Sequence, residues 1–120
     1  MSILEDANKD QVIVTLRVEG THSWPDCPFD EVAYLRLDHR HIFHIKCWKA
    51  VSHDDRDVEI IMLKHDIEEF LFNEFGDSEQ RLHIFGARSC EMIARKLNEK
   101  FDLVQCEVLE DGENGALIAS

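Results

Sequence analysis

Val12, Val14, Leu16 and Val18 alternate with Ile13, Thr15, Arg17 and Glu19, the period-two pattern of a strand with one face in a core. Gly20 and the Ser23-Trp24-Pro25-Asp26 stretch end it. A second alternating pattern runs from about Val32 to Val51, with Leu37, Phe43, Ile45 and Cys47 on one face. Its length predicts a bend or bulge, and His53-Asp54-Asp55-Arg56-Asp57 closes it. From Ile60 through Leu63, Ile67, Phe70, Leu71 and Phe75 the apolar spacing becomes three and four. That spacing predicts an amphipathic helix with Gly76 at its C-terminal cap. Ser89 is placed to cap a second helix, in which Ile93, Leu97 and Phe101 share a face, Glu91 lies in the first turn and Lys96 and Lys100 in the last. Val104, Cys106 and Val108 then alternate with Gln105 and Glu107, and Asp111-Gly112-Glu113-Asn114-Gly115 turns the chain into Ala116-Leu117-Ile118. The predicted order is ββααββ, an α+β domain with an antiparallel four-stranded sheet and two helices on one face.

Composition narrows the class. The 120 residues are 44% hydrophobic and 8% aromatic, enough for one domain with an ordinary core and no room for a second. A single domain over 1–120 is expected, without repeats or linkers. No apolar run reaches the roughly 18 residues of a membrane span, and Met1-Ser2-Ile3-Leu4-Glu5-Asp6 lacks a basic start and apolar stretch. A cytoplasmic protein with no membrane partner is expected. Cys27, Cys47, Cys90 and Cys106 are scattered singly, which predicts reduced thiols and neither a disulfide framework nor a thiolate zinc finger. The formal charge of −12 repels phosphate backbones, so nucleic acid is not an expected partner.

The histidines bring chemistry into view. His39 and His41 lie two apart on one strand, on the face of Phe43, Ile45 and Cys47. His22 continues the inward series Val12 to Gly20, so antiparallel pairing of the first two strands brings all three imidazoles together near the strand ends. Three neutral imidazoles suit Zn2+, with a fourth position left for water or substrate. The competing reading is that each is an ordinary hydrogen-bonded histidine, since HxH is a common tripeptide. His44 falls on the opposite face, and His53, His65 and His83 show no shared spacing. Cys27 follows His22 closely, either as a proton-moving thiolate near the metal or as a free loop thiol. Glu110 ends the inward series Val104, Cys106, Val108, where a carboxylate needs hydrogen-bond donors from a ligand or from the protein.

On these residues the chain resembles the 6-pyruvoyl-tetrahydropterin synthase and 6-carboxy-tetrahydropterin synthase family, whose tunnelling fold (T-fold) has the same ββααββ order. His22 and His39-Arg40-His41 match the family's zinc histidines. Arg88-Ser89-Cys90-Glu91 is similar to its Pro-Thr-x-Glu helix start, and Cys106-Glu107-Val108-Leu109-Glu110-Asp111 to its ligand-anchoring strand. The resemblance implies a zinc-dependent lyase of pterin or queuosine-precursor metabolism, acting on a triphosphate such as 7,8-dihydroneopterin triphosphate. It implies that Ser89, Glu91 and Glu110 bind the ring, that Cys27 and His83 move protons, and that the chain is a homo-oligomer closing a barrel. Three departures go with it: Cys27 stands near His22 instead of before the HxH pair, Arg40 replaces a glycine, and the family's Asp-His segment between the helices is not recognisable. They leave a second reading, a non-catalytic T-fold protein that binds a pterin, purine or modified nucleotide.

Overall fold

The computed structural model describes residues 9–120. Strand β1 (Gln11–His22) and strand β2 (His39–Ala50) pair antiparallel over their full length, from Gln11 opposite Ala50 to His22 opposite His39. The inward residues are those the alternation picks out: Val14, Leu16 and Val18 on β1 and Phe43, Ile45 and Cys47 on β2 are buried. β2 is shorter than its pattern predicts and carries no bulge against β1. The segment Asp30–Arg36 is instead a 3-10 helix with no buried residue, and Leu37 is 74% exposed rather than part of the inward face. Apolar residues here do not keep a period of two, and Asp30 and Glu31 sit in the helix's first turn.

Helix α1 covers Ile60–Phe75, with Leu63, Ile67, Leu71 and Phe75 buried and the Glu59 carboxylate accepting from the Ile61 and Met62 N–H groups. Gly76 does follow its last residue, but in an extended conformation (φ −68°, ψ 140°), not the left-handed one a C-terminal glycine often adopts. Contact requires a glycine there, because a Cβ would lie 2.5 Å from both the Phe72 ring and the Phe72 carbonyl. Helix α2 (Cys90–Phe101) starts where its capping residue predicts, the Ser89 hydroxyl oxygen accepting from the Met92 N–H at 3.2 Å.

The expected four-stranded sheet is corrected to six. Between the helices lie strand β3 (Gly76–Asp77) and strand β4 (Leu82–Gly86), and the C-terminal hairpin adds strand β5 (Gln105–Glu110) and strand β6 (Asn114–Ala119). The order across the sheet is β3-β4-β1-β2-β5-β6. β4 runs parallel to the end of β1, with Gly20 opposite His83. Gly20 therefore lies within the strand and does not terminate it: a Cβ there would come 2.7 Å from the His83 carbonyl and 2.8 Å from the Phe85 ring. Both helices cover the inward face, where their apolar residues join those of β1, β2 and β5 in one core. Cys47, Cys90 and Cys106 are buried among these apolar side chains, as expected of small core residues. No helix among the described residues is long and apolar enough to cross a membrane.

Candidate metal centre

The shared register of β1, β2 and β5 builds the site. His22 and His39 face each other at the last paired position of β1 and β2, His41 lies two residues along on the same face, and Glu110 pairs with Phe43 across β2 and β5. One ligand atom from each of His22, His39, His41 and Glu110 falls within 4.8 Å of every other. The imidazoles crowd edge to face, with centroids 4.5 Å apart for His22 and His39, 5.3 Å for His22 and His41 and 5.1 Å for His39 and His41.

The outer hydrogen bonds decide what these rings present to one another. His22 Nδ1 donates to the Arg88 carbonyl at 2.9 Å, His39 Nδ1 to the Leu37 carbonyl at 2.8 Å, and His41 Nδ1 to Asp111 Oδ2 at 2.8 Å. Each of these partners only accepts, so the proton belongs on Nδ1 and the neutral ring turns an Nε2 lone pair inward. Burial pushes the His22 pKa below the ordinary histidine value of 6.5. The Arg88 carbonyl and the Glu110 carboxylate work against that shift, while His39 and His41 add to it.

The result is a set of acceptors aimed at acceptors. His22 Nε2 lies 2.8 Å from Glu110 Oε2, and His41 Nε2 lies 3.6 Å from Glu110 Oε1. These are short separations without hydrogen-bond geometry, and both Nε2 atoms are buried without a hydrogen-bond partner. Lone pairs converging on a carboxylate at such distances repel unless a cation lies among them. Imidazole and carboxylate donors, each imidazole held from behind by a carbonyl or carboxylate, are the donor set and outer support of a zinc-type site. The residues therefore fit a divalent metal ion.

Asp111 carries much of the outer support. It adopts φ 55° at the start of the β5–β6 turn and also accepts from the Ile42 N–H at 3.0 Å. That backbone hydrogen bond, and then the one from His41, hold the Asp111 carboxyl below its ordinary range. Replacing Asp111 by alanine is expected to weaken zinc binding by about 10–100-fold, the usual cost of losing an outer partner of a ligating histidine. A chelator-competition titration measures it, and an unchanged affinity would show that His41 needs no such support.

A pocket of about 510 Å3 opens beside the centre and is lined in part by His22, His39, Glu110, Trp24, Ser89 and Glu91. Ser89, Glu91 and Glu110, which the resemblance implies bind the ligand, therefore meet in one cavity with two of the three candidate histidines. Cys90 also lines this pocket. Its thiol is pushed up to about 12, first by burial and then by the Glu110 carboxylate, so it stays protonated at neutral pH and turns its S–H toward Glu110 Oε2 at 3.8 Å.

The residues expected to move protons lie elsewhere. Cys27 is buried with Sγ 3.7 Å from the Phe29 carbonyl and 3.8 Å from the Val32 carbonyl. His83 sits on β4 against Phe72 and Phe85, its pKa lowered by burial. Neither lines the pocket or joins the donor group. His44 lies on the opposite face of β2 and outside that group, as its phase predicts. Sequence reasoning missed Glu110 as a possible metal donor and Asp111 altogether; knowing that β2 pairs with β5 would have found both. Compared with models of known protein families and with curated proteins, the sequence matches none.

Proposed function

We propose that the chain is a zinc-dependent lyase of the tetrahydropterin-synthase type, with the metal held by His22, His39 and His41 and a reduced pterin triphosphate bound in the adjoining pocket. The observation that carries this reading is the pair of buried, unpartnered Nε2 atoms turned toward the Glu110 carboxylate. A zinc ion there supplies Lewis-acid polarisation of a substrate oxygen. The protein's own residues supply position. The Arg88 and Leu37 carbonyls and Asp111 orient the imidazoles, and Glu110 accepts N–H groups of the ring when it turns from the histidines into the pocket. Ser89 retains an O–H to donate while its oxygen caps α2. Zinc-loaded protein incubated with 7,8-dihydroneopterin triphosphate is expected to release triphosphate and a modified pterin, detectable by mass spectrometry. Absence of both products would sink the lyase reading.

One observation favours a second reading, a non-catalytic T-fold protein that binds a pterin, purine or modified nucleotide: Cys27 and His83 both lie outside the pocket. Calorimetry then shows ring binding without turnover, and binding that survives Glu110→Ala unchanged would remove this reading too.

The same resemblance supports assembly. β1 pairs with β4 only at Gly20–His22, which leaves its outer edge over 12–19 without a strand partner among the described residues, and β6 ends the other side of the sheet. Open strand edges of this length favour pairing with another chain. A homo-oligomer joined edge to edge is expected in light scattering; a 14.0 kDa monomer at micromolar concentration would contradict it.

A further inference from the structure

The sheet face turned away from the helices carries a second cluster, on the opposite side of the sheet from the histidine centre. On this face Arg17 lies directly opposite His44, and Thr15 opposite Lys46, which in turn lies opposite Glu107. Directly opposed residues have Cβ atoms about 4.5–5.5 Å apart and diagonal ones about 7–8 Å, so Arg17, His44 and Lys46 form one patch. They line a groove of about 440 Å3, which Lys64, Glu107 and Gly112 also line.

The charges here run against the rest of the chain. With a formal charge of −12 there are acidic side chains in excess, and Arg40 on the same face takes one of them, pairing with Glu19 at 2.9 Å. Arg17, Lys46 and Lys64 take none among the described residues. Lys46 instead holds its ammonium 5.0 Å from the centre of the Trp48 ring, which fixes the charge without neutralising it. Asp111, which interacts electrostatically with His44, is held by His41 and the Ile42 N–H. Gly112, which turns the chain at φ 72°, passes beside the His44 ring. Arg17 and Lys46 are diagonal neighbours of like charge, and Glu107, directly opposite Lys46, forms no ion pair with it, which leaves positive charge for a ligand to meet.

We propose that this groove is a binding site for a small oxyanion, a phosphate group, held by the Arg17 guanidinium, the Lys46 ammonium and a His44 ring N–H. The planar Arg17 fork matches two phosphate oxygens, and Lys46 acts as a point charge. Glu107 at the groove's margin and the overall negative charge select against long polyanions, so the ligand is inorganic phosphate or the phosphate of a small metabolite.

The test is an amide NMR titration of the zinc-loaded protein with inorganic phosphate, then with pyrophosphate. Concentration-dependent shifts are expected at Thr15, Arg17, His44 and Lys46. Arg17→Gln and Lys46→Gln are expected to weaken binding by about tenfold each, as loss of a charge-assisted hydrogen bond does, while Arg40→Gln leaves it near wild type. All three side chains are on the surface, so the variants are expected to keep the wild-type spectrum elsewhere. The proposal is overturned if millimolar phosphate and pyrophosphate shift nothing in the groove, or if the shifts fall only around His22, His39 and His41. Equal weakening by Arg40→Gln would overturn it as well, because that outcome is general screening and not a site.

Discussion

Alanine at position 41 is expected to reduce zinc affinity by more than the roughly 10–100-fold that loss of an outer partner costs, because it removes a donor of the set itself. His39→Ala should do the same. Both changes leave two imidazoles and Glu110, fewer than the three histidines and carboxylate that now meet within 4.8 Å. His44→Ala, one strand position out of phase with the inward series, should leave zinc content unchanged, since its ring lies on the opposite face. Metal analysis of folded, dialysed protein compares the three. An equal fall for His41→Ala and His44→Ala, or for neither, would disprove the site.

The largest effect on stability is expected at Phe43. It is fully buried, and its ring meets those of His22, His41 and Phe85 edge to face at 5.2, 5.7 and 5.0 Å. Phe43→Ala is expected to cost about 3–5 kcal/mol, the sum of lost burial and the cavity left behind. Its neighbour Ile42 faces out at 47% exposure, so Ile42→Ala should stay within about 0.5 kcal/mol of wild type and keep the backbone bond to Asp111. Urea denaturation followed by circular dichroism measures both; similar losses for the two would contradict the assignment of faces. Because Phe43 also supports two of the imidazoles, its loss should weaken zinc binding in protein that is still folded.

Where a sequence pattern has a simple period, it carries the structure. Val14, Leu16 and Val18 announce the buried face of β1, the three-and-four spacing from Ile60 to Phe75 gives the whole of α1, and Ser89 marks the start of α2. The strand phase of His22, His39 and His41 is likewise a local property, which is why the imidazole trio was legible. β3 and β4 were not, because two and five residues are too few to show a period against the background of the loop. Their presence is written instead in Gly20 and Gly76, but only as a need for space that no sequence pattern displays. Glu110 and Asp111 depend on which strand lies beside β2, a matter of tertiary pairing. The 3-10 segment breaks the alternation that Val32 and Leu37 extend in the sequence.

The register of the donors also bears on the order in which the centre can form. His22, His39 and His41 belong to one hairpin, whose closure brings together residues close in the chain and so loses comparatively little chain entropy. Glu110 and Asp111 arrive only with the β5–β6 hairpin, after α1 and α2 have been threaded between, and contacts so distant in sequence are the slower ones to form. The hairpin alone therefore brings three imidazoles together before any carboxylate is present. Were an ion held by that hairpin, β5 would dock onto a charge already in place.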